Sequence, residues 1–192
     1  MQGVILLVSG PSGSGKTTLC RRLVNEGEAH YSISCTTRAP REGETHGVDY
    51  FFLSVEEFQE KIAAGELLEW AEVHGNYYGT LKAQVLDFIS SGKDVVMDID
   101  VQGADQVRAC EDTLIQAALV DLFVMVTDHD ELYQRLSGRG TDSEDVIALR
   151  MKNSIAEMSD APKYTYLLES ADHETDYCKF KSLLVGSRLK QN

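Results

Sequence analysis

Three short apolar runs stand out along the 192-residue chain: 4-VILLVS-9, 95-VVMDI-99 and 119-LVDLFVMV-126. Each is rich in β-branched residues and lacks the alternation of a half-exposed strand, so both faces must be covered. Long helix-capable stretches separate them. That combination predicts parallel strands beneath helices on both sides, a doubly wound α/β core. No run approaches the ~18 residues that a membrane span needs, and no basic segment precedes the first run as a signal peptide requires. A soluble, unexported, cytoplasmic protein is expected.

Between the first two runs, residues 34–81 have a different texture, with polar turns, aromatic pairs and one helix. Ser54 and Glu57 fit a capping box opening 55-VEEFQEKIAA-64, and Gly65 sits where that helix would stop. Beyond the third run, 130-DELYQRLSGRG-140 reads as a short helix, and Thr141 with Glu144 fits a second capping box before 144-EDVIALRMKNSIAEM-158. The Gly-containing turn between these helices suits a hinged lid. No repeat, low-complexity segment or linker divides the chain. One domain, 1–192, is expected, with a core of 1–33, 82–126 and 151–192, an insertion of 34–81 and a lid of 127–150.

Charge narrows the possible partners. The chain carries 31 acidic and 18 basic side chains, a formal net charge of -13. Such a field repels phosphate polymers, which argues against nucleic acid and anionic membrane as partners. Any phosphate ligand must be held in a local positive pocket. Cys20, Cys35, Cys110 and Cys178 form no C-x-x-C pair, which suggests neither a zinc site nor a disulfide framework.

Directly after the first run comes 10-GPSGSGKTT-18, comprising Gly10, Pro11, Ser12, Gly13, Ser14, Gly15, Lys16, Thr17 and Thr18. It matches G-x-x-x-x-G-K-[ST], between a strand and the helix-forming 17-TTLCRRLVNE-26. Glycines let successive backbone N–H groups turn inward around phosphates at the positive end of the following helix. Lys16 then bridges terminal phosphates, and the Thr17 hydroxyl is offered to Mg²⁺. A nucleoside triphosphate with magnesium is implied; GTPases, motor ATPases and small-molecule kinases all share the motif.

A second anion site is suggested by Arg38 and Arg41, followed by Tyr50, Tyr77 and Tyr78. Forked guanidinium groups and phenol hydroxyls suit a monophosphate. The same arginines could instead pair with Glu42, Glu44 or Asp49 on a solvated loop. Asp98 and Asp100 stand two apart at the end of a strand and should share one face, where open α/β sheets bind ligands.

In 9-SGPSGSGKTT-18, 34-SCTTRAPREGE-44, 47-GVDYFF-52, 69-EWAEVHGNYYGT-80, 98-DIDVQGA-104 and 135-RLSGRGTDSE-144, the chain resembles the guanylate kinase family over nearly its whole length. The resemblance implies a P-loop kinase core with a GMP-binding insertion and a helical lid. It also implies transfer of the ATP γ-phosphoryl group to GMP with Mg²⁺, giving ADP and GDP. By it, Arg38, Arg41, Tyr50 and Tyr78 hold the GMP phosphate, Glu69 receives the guanine edge, and Ser34 and Thr80 lend hydroxyls to the base. The family often has serine at the position of Thr80; the hydroxyl survives. Asp98 is placed near the acceptor, and Asp100 is assigned to the magnesium shell through water.

Residue chemistry agrees with the Glu69 assignment. Guanine presents two adjacent donors that one carboxylate can accept, whereas adenine presents an acceptor at N1 and would leave a buried charge unpaired. Lys16, Arg41 and the lid arginines Arg135, Arg139 and Arg150 are the expected catalytic cations, neutralising charge on the transferring group. A phosphate monoester has a second pKa near ~6, so no general base is needed and none of the five histidines has to act. The family usually ends a late strand in Asn-Asp near the adenine; 166-YLLESAD-172 places Ser170 there, which puts the donor-base contact in question. Two other readings share parts of the pattern, a P-loop kinase for a phosphorylated sugar and an inactive guanylate-kinase-like protein-binding module.

Overall fold

The computed structural model describes residues 2–138 and 144–189. The expected lid arginine Arg139 and the expected cap Thr141 lie outside the described residues.

All three apolar runs are strands of one five-stranded sheet: β1 (Ile5–Ser9), β7 (Val95–Asp98) and β8 (Leu119–Met125). Two short strands flank them, β2 (His30–Tyr31) and β9 (Tyr166–Glu169), giving the order β2-β7-β1-β8-β9 with every pair parallel. Strand alternation explains why β1 is apolar from Ile5 through Val8. Leu6 and Val8 face a layer built with Leu19, Leu23, Phe180 and Leu184 from α1 (Lys16–Asn25) and α8 (His173–Ser187). Ile5 and Leu7 face the opposite layer, with Val85 and Ile89 of α3 (Lys82–Ser90), Val107 of α4 (Val101–Arg108) and Ile115 of α5 (Thr113–Ala118). Each fully buried aliphatic side chain contributes about 1.5–3 kcal/mol, so a charge introduced at Leu7 would disrupt the layer it shares with Val85, Ile89, Val107 and Ile115.

Residues 34–81 contain a second sheet in the order β4-β3-β6-β5: β3 (Ser34–Thr36), β4 (Phe51–Phe52), β5 (Leu67–Val73) and β6 (Asn76–Leu81). The helix α2 (Val55–Ala63) opens with the reciprocal capping box, Ser54 Oγ accepting from Glu57 N and Glu57 Oε2 from Ser54 N. Its Phe58 is fully buried and stacks on Tyr77 at 5.3 Å between ring centroids. Strand β5 lies at the edge of this sheet, and Gln106 of α4 meets it like a further strand. The Gln106 side chain accepts from Trp70 N at 3.0 Å and donates to Trp70 O at 2.8 Å.

After β8, helix α6 (His129–Ser137) is capped by Asp128, whose carboxylate accepts from Asp130 N and Glu131 N. Helix α7 (Glu144–Glu157) packs against it through Leu132, Leu136 and Ile147. α7 runs without a break past residue 150, so the expected lid boundary falls inside a helix. All four cysteines are free thiols. Among the described residues no helix is long and apolar enough to cross a membrane.

Candidate active site

The glycine-rich loop joins β1 to α1 and turns into the helix at Gly15, whose φ of 90° lies in the left-handed region that glycine tolerates. No side chain caps α1, although carboxylates or a serine cap α2, α4, α5, α6 and α8. Its first N–H groups are therefore not matched by a capping side chain, which favours an anion at that end. A cavity of about 630 Å³ opens over the loop, lined by Gly10, Ser12, Gly13 and Gly15 to Thr18 together with Asp98, Asp100, Arg135 and Glu157. Pro11 and Ser14 are buried behind it. Lys16 Nζ donates to Pro11 O at 3.4 Å, which holds the ammonium over the loop. Thr17 Oγ1 donates to Asp98 Oδ2 at 2.5 Å, and the Tyr31 hydroxyl donates to the same oxygen at 3.3 Å.

The base-reading candidates are aligned by strand register. Thr80 of β6 pairs with Ser34 on one side and Glu69 on the other, so the three stand in a row across three strands. Glu69 is 8% exposed, and its Oε1 accepts from Thr80 Oγ1 at 2.6 Å. Burial pushes its carboxyl above the ordinary range, the Thr80 bond opposes that shift, and the nearby Asp100 charge adds to it. Gly103 of α4 makes room for this pair. A Cβ there would come within 3.0 Å of Glu69 Oε2 and 3.4 Å of Asp100 Oδ1.

The monophosphate candidates gather beside this row. Arg38 sits over the Tyr50 ring, 5.4 Å from its centroid, and the Tyr50 and Tyr78 rings meet edge to face at 6.2 Å. Glu44 occupies the Arg38 fork, both carboxylate oxygens accepting from Nη2 at 2.8 and 3.0 Å, while Oε2 also accepts from Arg41 N at 2.7 Å. The pairing alternative foreseen for Arg38 is thus realised, and the Arg38 guanidinium holds the Glu44 carboxyl below its usual range. Arg41 is exposed. Tyr77 turns to the other side of β6, where it is half-buried against Phe58 and Trp70 and stands apart from this cluster.

The two aspartates stand differently from expectation. β7 ends at Asp98, and Asp100 caps α4 by accepting from Gly103 N at 2.7 Å, so they do not share a strand face. Asp98 is set against Thr17 on the triphosphate side; Asp100 lies beside Glu69 while still lining the loop cavity. Of the lid arginines, Arg135 lines the cavity and Arg150 Nη2 donates to Ser12 Oγ at 2.7 Å. Two neighbours were not foreseen from the sequence: Tyr31 on Asp98, and Glu157, a half-buried carboxylate in the cavity. Burial raises the Glu157 carboxyl above its usual range and the Lys16 charge opposes that shift. Charge complementarity to Lys16 was the one available signal for Glu157, and it emerges only when α7 is packed on the loop.

Hard oxygen donors suit magnesium here. No group of three or more acidic, His or Cys side chains converges as a cage among the described residues. Thr17 and Asp98 lie together at the phosphate loop, the small protein share that magnesium takes when phosphates and waters complete its shell.

A loop built for triphosphate, joined through Asp100 to a recessed carboxylate and an arginine–tyrosine cluster, defines a P-loop phosphotransferase with a second substrate position. A sequence model of the family described as guanylate kinase matches residues 2–186. The chain is 44% identical to the guanylate kinase of Nitratidesulfovibrio vulgaris over 97% of its own length and 88% of that protein. It is 42% identical to the guanylate kinase of Salmonella paratyphi A over 100% of the chain and 91% of that protein. The crystal structure of guanylate kinase from Anaplasma phagocytophilum superimposes with a TM-score of 0.75 at 30% identity, covering 99% of this chain and 88% of that one. This chain belongs to the guanylate kinase family.

Proposed function

We propose that the chain transfers the γ-phosphoryl group of ATP to GMP, producing ADP and GDP. The observation that carries this reading is Glu69: a buried carboxylate in register with two hydroxyl side chains, across the fold from a triphosphate loop. Only a ligand with paired donors repays that burial. The N1–H and exocyclic amino group of guanine supply them, with Asp100 beside Glu69 as a second acceptor. Asp98 then serves the donor side by orienting Thr17, the reverse of the roles expected from the sequence.

Lys16, Thr17 and the loop N–H groups hold the donor phosphates. Magnesium, when bound with ATP, would neutralise charge on the triphosphate. Arg38, Arg41, Tyr50 and Tyr78 receive the acceptor phosphate, with Glu44 holding the Nη2 end of the Arg38 guanidinium. Arg135 and Arg150 already reach the loop, so closure need only bring the acceptor sheet to them. The four free thiols fit a reducing cytoplasm.

A coupled assay of ADP release tests the reading at fixed ATP and magnesium with GMP, AMP, ribose 5-phosphate or no acceptor. GMP should be preferred over AMP by at least about 10⁴-fold in kcat/KM, the discrimination that unpaired buried polar groups supply. Equal release with and without acceptor would point to hydrolysis, and indifference to the base would favour a sugar phosphate kinase.

A further inference from the structure

Ser170, standing where the sequence comparison leads one to expect asparagine, is 7% exposed and follows the end of β9, its N–H donating to Met125 O at 2.8 Å. Its hydroxyl donates to Asp176 Oδ2 at 2.9 Å, and Arg135 Nη1 donates to the same hydroxyl at 2.9 Å. A carboxylate only accepts and a guanidinium only donates, so the direction of this chain of bonds is fixed. Asp176 takes the serine's single hydrogen, which turns a lone pair of Oγ toward Arg135. Asp176 itself is 3% exposed, and Ala171 N is its other donor, at 3.0 Å from Oδ2.

Arg135 is also held from its own helix. Glu131 Oε1 accepts from Nη2 at 2.5 Å, and Ala171 O lies 3.5 Å from the same nitrogen. Among the described residues, three of the five guanidinium N–H donors are engaged in this way. The group lines the cavity above the phosphate loop, where a Cβ built on Gly15 would lie 3.9 Å from Arg135 Nη1 and 4.0 Å from Ser170 Oγ. The arginine therefore grows from lid helix α6 but is moored to the connection between β9 and α8 of the core.

We propose that Asp176 and Ser170 form a buried positioning relay that presets Arg135 over Gly15 for the phosphates of the donor nucleotide. The proposal rests on the reading of this cavity as the ATP site and deepens it. Both are positioning residues that act through Arg135. Ordering a long side chain before the ligand arrives removes that entropy cost from binding. The gain belongs to ATP alone, because the relay lies away from the Glu69–Thr80 row and the Arg38 cluster.

Equilibrium titration of the full chain with a non-hydrolysable ATP analogue plus magnesium, and separately with GMP, tests this. Ser170→Ala should weaken the analogue about tenfold, the scale of one hydrogen bond to a charged group, and leave GMP within about twofold. Ser170→Thr keeps the hydroxyl and should restore analogue binding. Unchanged analogue affinity in the alanine variant, an equal loss for both ligands, or a threonine variant as weak as alanine overturns the proposal. Should Ser170→Ala not fold, Asp176→Asn preserves the side-chain volume and decides by the same titration: weaker analogue binding supports the relay, unchanged binding overturns it. Neither titration needs turnover, so a chain that fails to phosphorylate GMP would defeat the proposed function and leave this result standing.

Discussion

Glu69→Gln separates base recognition from stability in one substitution. The amide oxygen can keep the Thr80 bond, now 2.6 Å long at Oε1. The amide NH₂ then replaces Oε2, the oxygen facing Gly103 and Asp100. Guanine loses one charge-assisted acceptor and meets a donor where it offers one. A hydrogen bond to a charged group contributes about 1.5–3 kcal/mol, so GMP affinity should fall on the order of a hundredfold. Stability should move the other way. Burial raises the Glu69 carboxyl, so the penalty on its charged form is absent below the unfolded pKa and complete above the folded one. Thermal denaturation should find the variant more stable than the parent at about pH 7 and equal to it near pH 4. Titration calorimetry with GMP completes the pair. Undiminished GMP affinity, or a variant less stable at neutral pH, would refute the reasoning.

Lys16→Met should lower kcat by about 10²–10³ with analogue binding partly retained, measured by steady-state rates beside equilibrium titration. Asp98→Asn weakens the acceptor that orients Thr17, so the magnesium concentration for half-maximal rate should rise about tenfold while KM for GMP stays put. Phe58→Ala empties the fully buried contact between α2 and β6 and should cost about 3–5 kcal/mol in denaturant unfolding. GMP binding should suffer more than analogue binding, since the second sheet carries the base row.

The central strands were legible because parallel strands buried on both faces leave a continuous apolar signature. β2, with two residues, and β9, an edge strand with Tyr166 and Leu167 exposed, carry no such signature. The second sheet was read only as polar turns and aromatic pairs, because β3 and β4 are short and the longer β5 and β6 are half-solvated. The phosphate loop and the Ser54 capping box depend on local spacing and could be read from it. Asp98 and Asp100 misled for the opposite reason: a period of two holds only while the strand lasts, and β7 stops at the first of them. For the acceptor residues, family resemblance supplied the assignments that residue chemistry left open. Glu157 on the loop and Ser170 under Arg135 depend on elements that meet only in three dimensions, whereas the Arg38–Glu44 pair, six residues apart on one loop, was open to view.

Helix α4 touches both nucleotide positions within eight residues. Asp100 at its head borders the triphosphate cavity, Gly103 lies against the Glu69 carboxylate, and Gln106 one turn on grips the backbone of Trp70. One rigid rod therefore spaces the Glu69 row from the rim of the phosphate-loop cavity, so a tilt imposed on the second sheet would be felt at that rim.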